Sequence, residues 1–146
     1  MNNLKRTIRV VGAAIVDNGR VLVARRPFSD KAYKSLKWEF PGGKIEPGET
    51  EEAAIRREIR EELDCEIAVD ALLPELEHEY PDFVLQMTIC ICHLTGSTTP
   101  KCLEHSALAW ATPADLPTLD WAAADARSYP LVINHLLTRA DIATTV

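Results

Sequence analysis

The chain has 146 residues, of which 47% are hydrophobic and 26% are charged, a composition typical of one folded domain with its own core. Its formal net charge of −6 argues against binding to a nucleic-acid polymer, because that function needs a basic stripe. A small polyphosphate is still compatible with this charge if metal ions separate the two negative partners.

The sequence favours a cytoplasmic protein. No apolar run approaches the roughly 20 residues of a membrane span, and residues 1–6 lack the apolar core of a signal peptide. The cysteines form no Cys-x-x-Cys pair, so we expect reduced, partly buried thiols instead of a zinc site or a disulfide framework. They are Cys65, Cys90, Cys92 and Cys102.

Most of the chain reads as short strands separated by turns. Asp17-Asn18-Gly19 is a strong hairpin signal, and the polar residues 28–37 predict a loop. A glycine turn is expected at residues 41–49, and residues 96–101 form another turn-rich link. The predicted strands cover residues 7–16, 21–24, 38–40, 65–73, 76–79, 83–94 and 107–111.

Helices are predicted in three places. The clearest covers residues 51–63, where Thr50 is the N-cap and acidic residues occupy the first turn. Its core-facing stripe, with a spacing of four residues, consists of Ile55, Ile59 and Leu63. A short helix should begin at residues 112–115, with Pro113 at its first position, and a final helix should cover residues 130–139. A mixed sheet with helices packed on it, in the α/β class, is the simplest fold.

Three glutamates of the first helix, Glu58, Glu61 and Glu62, are three and four residues apart and therefore share one face. Each pair of like charges there costs roughly 0.2–0.5 kcal/mol, and a divalent cation would reverse the sign of that contribution. The cluster therefore predicts a metal site of oxygen ligands, most simply for Mg²⁺. The alternative is a solvated helix face, paired with Arg56, Arg57 and Arg60.

A longer pattern includes these glutamates. The spacing G-x5-E-x7-R-E-U-x-E-E, where U is aliphatic, is met by Gly43, Glu49, Arg57, Glu58, Ile59, Glu61 and Glu62. This pattern resembles the Nudix box, a loop–helix signature of hydrolases that act on a nucleoside diphosphate linked to another group. The resemblance implies one Nudix domain over residues 1–146, with the box at about residues 43–65 and an α/β/α sandwich fold. The usual glycine after the box helix is replaced by Asp64, which tolerates the left-handed conformation expected there.

Other segments resemble the MutT-like branch, which cleaves nucleoside triphosphates, including oxidised purine nucleotides, to the monophosphate and pyrophosphate. These segments are residues 25–26, 38–44 and 77–82. Residues 121–125 are similar to a subgroup that prefers cytidine triphosphates and modified cytosines. Phe83 stands near the position of a purine-reading arginine in some MutT proteins, which weakens the assignment to oxidised guanine.

The resemblance also implies roles for individual residues. The metal, Mg²⁺ or alternatively Mn²⁺, would be held by Glu58, Glu61, Glu62 and Glu104 and the carbonyl of Gly42. Glu58 or Glu104 would be the general base, a choice that the sequence leaves open, and Arg57 would orient a carboxylate. Gly43 and Glu49 would support the loop. The residues implied in nucleotide binding are Arg26 and Lys44 at the phosphates, and Phe40 and Asp125 at the base.

Some alternatives stay open. Asp125 could cap the final helix, Phe40 could be a core residue, and Arg26 could be a surface arginine. An ADP-ribose or nucleotide-sugar pyrophosphatase is a rival activity, disfavoured by the lack of a long dimerisation domain before the box. A non-catalytic nucleotide sensor is disfavoured because the box carboxylates are all present. The protein could be a monomer or a homodimer. The histidines lack metal-ligand spacing and are given no role: His78, His93, His105 and His135.

Overall fold

The computed structural model describes the backbone of residues 5–144 and the side chains of residues 5–139. Within this range, eight strands form one mixed sheet, accompanied by two α-helices and a short 3₁₀ helix. In chain order the elements are β1 (Arg6–Asp17), β2 (Arg20–Arg25), β3 (Trp38–Glu39), β4 (Gly42–Lys44), α1 (Glu51–Leu63), β5 (Glu66–Leu72), β6 (Leu76–Glu79), β7 (Phe83–Thr95), β8 (Ala107–Ala111), the 3₁₀ helix (Leu116–Thr118) and α2 (Ala123–Thr144).

The centre of the sheet is the parallel pair β1 and β7, which runs in register from Arg6 opposite Phe83 to Ile15 opposite Cys92. The β1–β2 hairpin turns at Asn18 and Gly19, whose φ angles of 50° and 76° suit the turn type that hairpins favour. Antiparallel strands complete the sheet: β8 and β3 pair with β2, β5 and β6 pair with β7, and β4 pairs with β1.

Each face of the sheet carries a hydrophobic core and one helix. Successive side chains of a strand point to opposite faces, so β1 sends Val11, Ala13 and Ile15 towards α1 and sends Ala14 to the other face. The fully buried α1 residues in the first core are Ala54, Ile55, Ile59 and Leu63. The second core contains Ala124 and Val132 of α2. The predicted α/β/α sandwich is therefore confirmed.

Both ends of α1 are closed by local hydrogen bonds. The Thr50 hydroxyl accepts a hydrogen bond from the N–H of Ala53 at 3.1 Å, as the N-cap prediction requires. Asp64 ends the helix in the left-handed conformation (φ 48°, ψ 47°) and donates its N–H to the Arg60 carbonyl at 3.1 Å. Asp64 thus takes the backbone conformation that glycine usually provides at this position.

The final helix is longer than predicted. It begins at Ala123, not at residue 130, and continues to Thr144, so Pro130 lies inside it. The alanine-rich segment 122–126 has high helix propensity and buries Ala124, which outweighs the hydrogen bond that proline cannot donate.

Two shorter elements also differ from the prediction. Residues 113–115 form a turn in which the Asp115 carboxylate accepts from the Thr112 N–H at 3.1 Å, and the helical turn follows only at Leu116–Thr118. The expected glycine turn contains β4, because Gly42 pairs with Gly12 of β1. Among residues 5–144, no helix combines the length and apolarity that crossing a membrane requires.

Candidate active site

The glycines of β4 allow two unusually close approaches. A Cβ on Gly42 would lie 2.0 Å from the carbonyl oxygen of Val11, so only glycine fits against β1 there. A Cβ on Gly43 would lie 2.6 Å from the carboxylate carbon of Glu58. Gly43 therefore lets the Glu58 carboxylate lie directly against the loop backbone.

Arg57 connects this loop to α1. Its Nε and Nη2 lie 2.7 and 2.9 Å from the two carboxylate oxygens of Glu49, and Nη2 also donates to the Lys44 carbonyl at 3.0 Å. Its Nη1 donates to Glu58 at 2.9 Å and to Glu61 at 3.4 Å. Hydrogen bonds from Arg57, and then from the Glu46 backbone, lower the pKa of Glu49 to about 2. One guanidinium thus orients both the loop and the Glu58 carboxylate.

The clustered glutamates Glu58, Glu61 and Glu62 differ in exposure. The Glu61 side chain is 57% exposed, whereas those of Glu58 and Glu62 are 15% and 10% exposed. Glu61 is therefore open to solvent, whereas Glu58 and Glu62 are largely enclosed. Leu63, the next residue, is fully buried, and the segment Lys101–Ser106 crosses beyond the end of α1, so Glu62 is enclosed.

Glu62 is held in an unfavourable environment for an isolated carboxylate. Burial is the main reason that its pKa rises to about 9, followed by a hydrogen bond with Glu58 and by the charges of Glu58, Glu39 and Glu104. Its Oε1 is buried without a hydrogen-bond partner. Such an oxygen, surrounded by other carboxylates, suits a hard divalent cation that would supply the missing positive charge.

The carboxylates implied as metal ligands do not converge on one point. Within residues 5–139, no three His, Cys, Asp or Glu side chains are already gathered where they could hold one ion. Arg57 donates to one oxygen of Glu58 and to one oxygen of Glu61. Glu104 is exposed, and its charge contributes to the raised pKa of Glu62.

Two further residues in this region were not assigned from the sequence. Glu39 accepts from Arg26 Nε at 2.6 Å and contacts His105 Nε2 at 3.0 Å. Burial raises the pKa of Glu39, but the hydrogen bonds and charges of His105 and Arg26 lower it below the ordinary value. His105 also lies 3.7 Å from Glu62 Oε1. His105 was given no role because it lacks metal-ligand spacing, and in the structure its contacts are to carboxylates.

The residues implied in base binding are buried and joined by a hydrogen bond. Asp125 is 5% exposed, and its Oδ1 accepts from the Phe40 N–H at 2.9 Å. Burial, followed by the charge of Glu39, raises the pKa of Asp125 to about 8. The Phe40 side chain is only 3% exposed and packs in the second core, with its ring centroid 5.0 Å from that of Trp121. Little of that ring therefore faces a ligand.

The two residues implied in phosphate binding differ in their surroundings. Arg26 is half-buried beside Glu39, and the pKa of its guanidinium is raised by Glu39 against the opposing effect of burial. Lys44 is exposed at the end of β4. The structure thus brings Arg26, Glu39, Asp125, His105 and the box glutamates into one contiguous region and leaves Lys44 at its edge.

Three cysteines are buried away from the carboxylates, whereas Cys102 lies in the segment Lys101–Ser106, where its Sγ donates to the His105 carbonyl at 3.1 Å. All four are free thiols; Cys65, Cys90 and Cys92 are buried, and Cys102 is exposed. Burial raises the pKa of Cys90 to about 12, so that thiol is unreactive near neutral pH.

Comparison with known proteins gives a consistent result. A family model described as NUDIX domain matches residues 6–132. A Mycobacterium tuberculosis relative, provisionally named 8-oxo-dGTP diphosphatase 2, is 40% identical over 120 residues, covering 80% of this chain and 81% of the relative. The CTP pyrophosphohydrolase of Escherichia coli is 36% identical over 120 residues, covering 81% of this chain and 85% of that protein. The solution structure of the E. coli ORF135 protein superposes with a TM-score of 0.77 at 32% identity, over 89% of this chain and 91% of that one. The chain belongs to the Nudix family.

Proposed function

We propose that this protein is a Mg²⁺-dependent hydrolase, with Mn²⁺ as an alternative metal, that cleaves a (deoxy)nucleoside triphosphate to the monophosphate and pyrophosphate. Its substrates are cytosine nucleotides or oxidised purine nucleotides, so it would help to keep the nucleotide pool clean. The names of the two relatives, one for 8-oxo-dGTP and one for CTP, support this substrate class. We further propose that residues 1–146 form one catalytic domain that acts in the cytoplasm on free nucleotides.

The observation that carries this proposal is the state of Glu62. A buried carboxylate with an unpaired oxygen and several acidic neighbours is costly in a protein that binds no cation. Metal binding removes that cost, because the neighbouring carboxylates then become ligands instead of repelling charges. Strongly shifted carboxyl groups of this kind are typical of active sites.

Cleavage of a phosphoanhydride is mainly a problem of charge and positioning. A bound divalent metal polarises the attacking water and neutralises phosphate charge. Glu58, Glu61, Glu62 and Glu104, with the Gly42 carbonyl, would hold it. Glu58 or Glu104 would accept the proton of the water, and the pH dependence of kcat in each glutamine variant distinguishes the two.

The remaining residues would bind the nucleotide. Arg26 and Lys44 offer positive charge to the phosphates, and Arg57 keeps Glu58 in place through a hydrogen bond. Asp125 holds its proton near neutral pH, so its carboxyl group can both donate and accept hydrogen bonds. A cytosine presents a ring-nitrogen acceptor beside an amino donor, and an oxidised guanine also combines donors with acceptors. Asp125 therefore suits both substrate groups.

A product assay tests the proposal. Purified protein is incubated with Mg²⁺ and a panel containing CTP, dCTP, 5-methyl-dCTP, 8-oxo-dGTP and ADP-ribose, and pyrophosphate and phosphate are measured separately. We expect pyrophosphate and the monophosphate from at least one triphosphate. Tight nucleotide binding without turnover would instead identify a sensor, and AMP from ADP-ribose alone would identify a different hydrolase.

A further inference from the structure

The segment that carries Glu104 is fixed at both of its ends. At one end, the Lys101 N–H donates to the Leu63 carbonyl at 2.8 Å, at the end of α1. At the other end, the Ser106 N–H donates to the Arg25 carbonyl at 2.8 Å. The segment Lys101–Ser106 therefore spans from α1 to β2 and crosses the carboxylate cluster between them.

His105 is the inward-facing side chain of this segment. Its side chain is only 6% exposed, whereas Leu103, Glu104 and Ser106 are exposed. Its Nε2 lies 3.0 Å from Glu39 Oε2 and 3.7 Å from Glu62 Oε1. Three separate parts of the chain, β3, α1 and the segment Lys101–Ser106, thus meet at one imidazole nitrogen.

The geometry fixes the direction of this hydrogen bond. An ionised Glu39 can only accept, so His105 Nε2 carries the proton and donates it. His105 Nδ1 is buried without a partner, so the contact with Glu39 is the hydrogen bond that holds the ring. The second oxygen of Glu39 accepts from Arg26 at 2.6 Å. The Glu39 carboxylate therefore links the segment Lys101–Ser106 to Arg26, the residue proposed to bind the phosphates.

We propose that His105 is a positioning residue: its hydrogen bond to Glu39 holds the segment Lys101–Ser106 so that Glu104 faces Glu62 and can complete the metal site. This role rests on the proposed function, in which Glu104 is a metal ligand. His105 acts through Glu104 and does not itself touch the metal or the substrate. Residues that orient metal ligands in this way typically change metal affinity by about 10- to 100-fold when they are replaced.

Three variants of His105 separate the hydrogen bond from simple packing. The side chain of His105→Gln places its amide nitrogen where the imidazole Nε2 was. The side chain of His105→Asn is too short to do so, and that of His105→Leu has no hydrogen-bond donor. The measurement is Mn²⁺ binding to the full chain. The electron paramagnetic resonance signal of the free ion reports how much Mn²⁺ remains unbound. We expect His105→Gln to bind Mn²⁺ nearly as the wild type does, and the other two to bind about 10-fold more weakly.

His93 provides a matched control. Its Nδ1 also contacts a carboxylate, that of Asp70, at 2.8 Å, but on the exposed surface of β5 and β7. His93→Leu should leave Mn²⁺ binding unchanged. If His105→Leu fails to fold, the Gln and Asn variants still test the proposal. Both carry a side-chain amide, but only the longer Gln side chain brings it within hydrogen-bond distance of Glu39. Equal Mn²⁺ affinities for those two would overturn the proposal.

A double-mutant cycle tests whether His105 acts through Glu104. Glu104→Gln alone should weaken Mn²⁺ binding, and adding His105→Leu should cause little further loss. If the two losses multiply, the residues are independent and the positioning role is wrong. If the wild type binds Mn²⁺ but releases no pyrophosphate, the proposed function is wrong, and the effect of His105 on Mn²⁺ binding can still be measured. Failure of the wild type to bind Mn²⁺ would end both.

Discussion

Arg57 binds Glu49 through two nitrogens, with Nε and Nη2 lying 2.7 and 2.9 Å from the two carboxylate oxygens. Glu49 belongs to the loop before α1, and Arg57 lies on α1 itself, next to Glu58. The pair therefore fixes the distance between the glycine loop and the carboxylate cluster. A planar guanidinium is needed because the same group also bonds Glu58 and the Lys44 carbonyl.

The first prediction concerns this pair. Arg57→Lys keeps the charge but cannot make all of these contacts at once, so we expect kcat to fall by about 10- to 100-fold. Arg60→Lys is the matched control, because Arg60 also binds a carboxylate, Glu66, at 2.8 and 3.0 Å, on the same helix but away from the loop. Steady-state kinetics of the two variants give the comparison. Equal losses in both would mean that Arg57 stabilises the helix and has no specific role at the site.

The second prediction concerns Gly43. A methyl group there would lie 2.6 Å from the Glu58 carboxylate, so Gly43→Ala should displace Glu58 and leave the fold intact. A ligand shifted by about 1 Å costs roughly 100-fold in kcat. In a Glu58→Gln background the same change should have almost no further effect, because the carboxylate is already lost. A full additional loss in that background would show that Gly43 acts on something other than Glu58.

The third prediction concerns Glu61, an exposed glutamate of the proposed metal site. Glu61→Gln should lower kcat by about 100-fold or more, since metal charge contributes several kcal/mol to such reactions. Its side chain is 57% exposed, so the urea midpoint should barely change. Glu52→Gln, an exposed glutamate in the first turn of the same helix, should leave kcat unchanged. Full activity of Glu61→Gln would remove Glu61 from the metal site.

The fourth prediction concerns pH. In the metal-free protein, the pKa of Glu62 is raised from 4.5 to about 9 and that of Asp125 from 3.8 to about 8. The folded state therefore holds these protons more tightly than the unfolded state does. Their contribution to stability is fully present below about pH 4 and is lost as the pH rises towards 9.

Urea denaturation in EDTA between pH 5 and 9 measures this effect. The free energy of unfolding should fall with pH in the wild type, fall less steeply in Glu62→Gln, and become nearly flat in Glu62→Gln combined with Asp125→Asn. Mg²⁺ should stabilise the wild type more at pH 8.5 than at pH 5.5, because it binds the ionised form of Glu62. An identical slope in the wild type and Glu62→Gln would show that Glu62 does not titrate in this range.

The features that the sequence predicted best are those that short-range interactions determine, such as the bounds and caps of α1. The bounds of α1, its N-cap Thr50 and the left-handed Asp64 each depend on residues within about one helical turn, and all three predictions are confirmed. The predicted start of α2 at residue 130 was wrong, because burial of Ala124 extends the helix upstream to Ala123. The strand β4 was missed because its glycines carry no side-chain pattern and pair with β1 only through close backbone approach.

Long-range contacts explain the remaining differences at the site. His105 and Glu39 are separated by 66 positions, so no local pattern could pair them. His105 of the segment Lys101–Ser106 lies 3.7 Å from Glu62 Oε1, and a helical pattern alone does not reveal such a neighbour. The motif therefore located the carboxylates, whereas their unequal exposure and the Arg26–Glu39–His105 connection required the folded chain.

The most direct test is to locate the metal. A crystal soaked in Mn²⁺ with a non-hydrolysable nucleoside triphosphate should show anomalous density between Glu58, Glu61, Glu62 and Glu104, with the phosphates bound beside it. Density for nucleotide and metal at another surface, with these four carboxylates in contact with neither, would contradict the central claim.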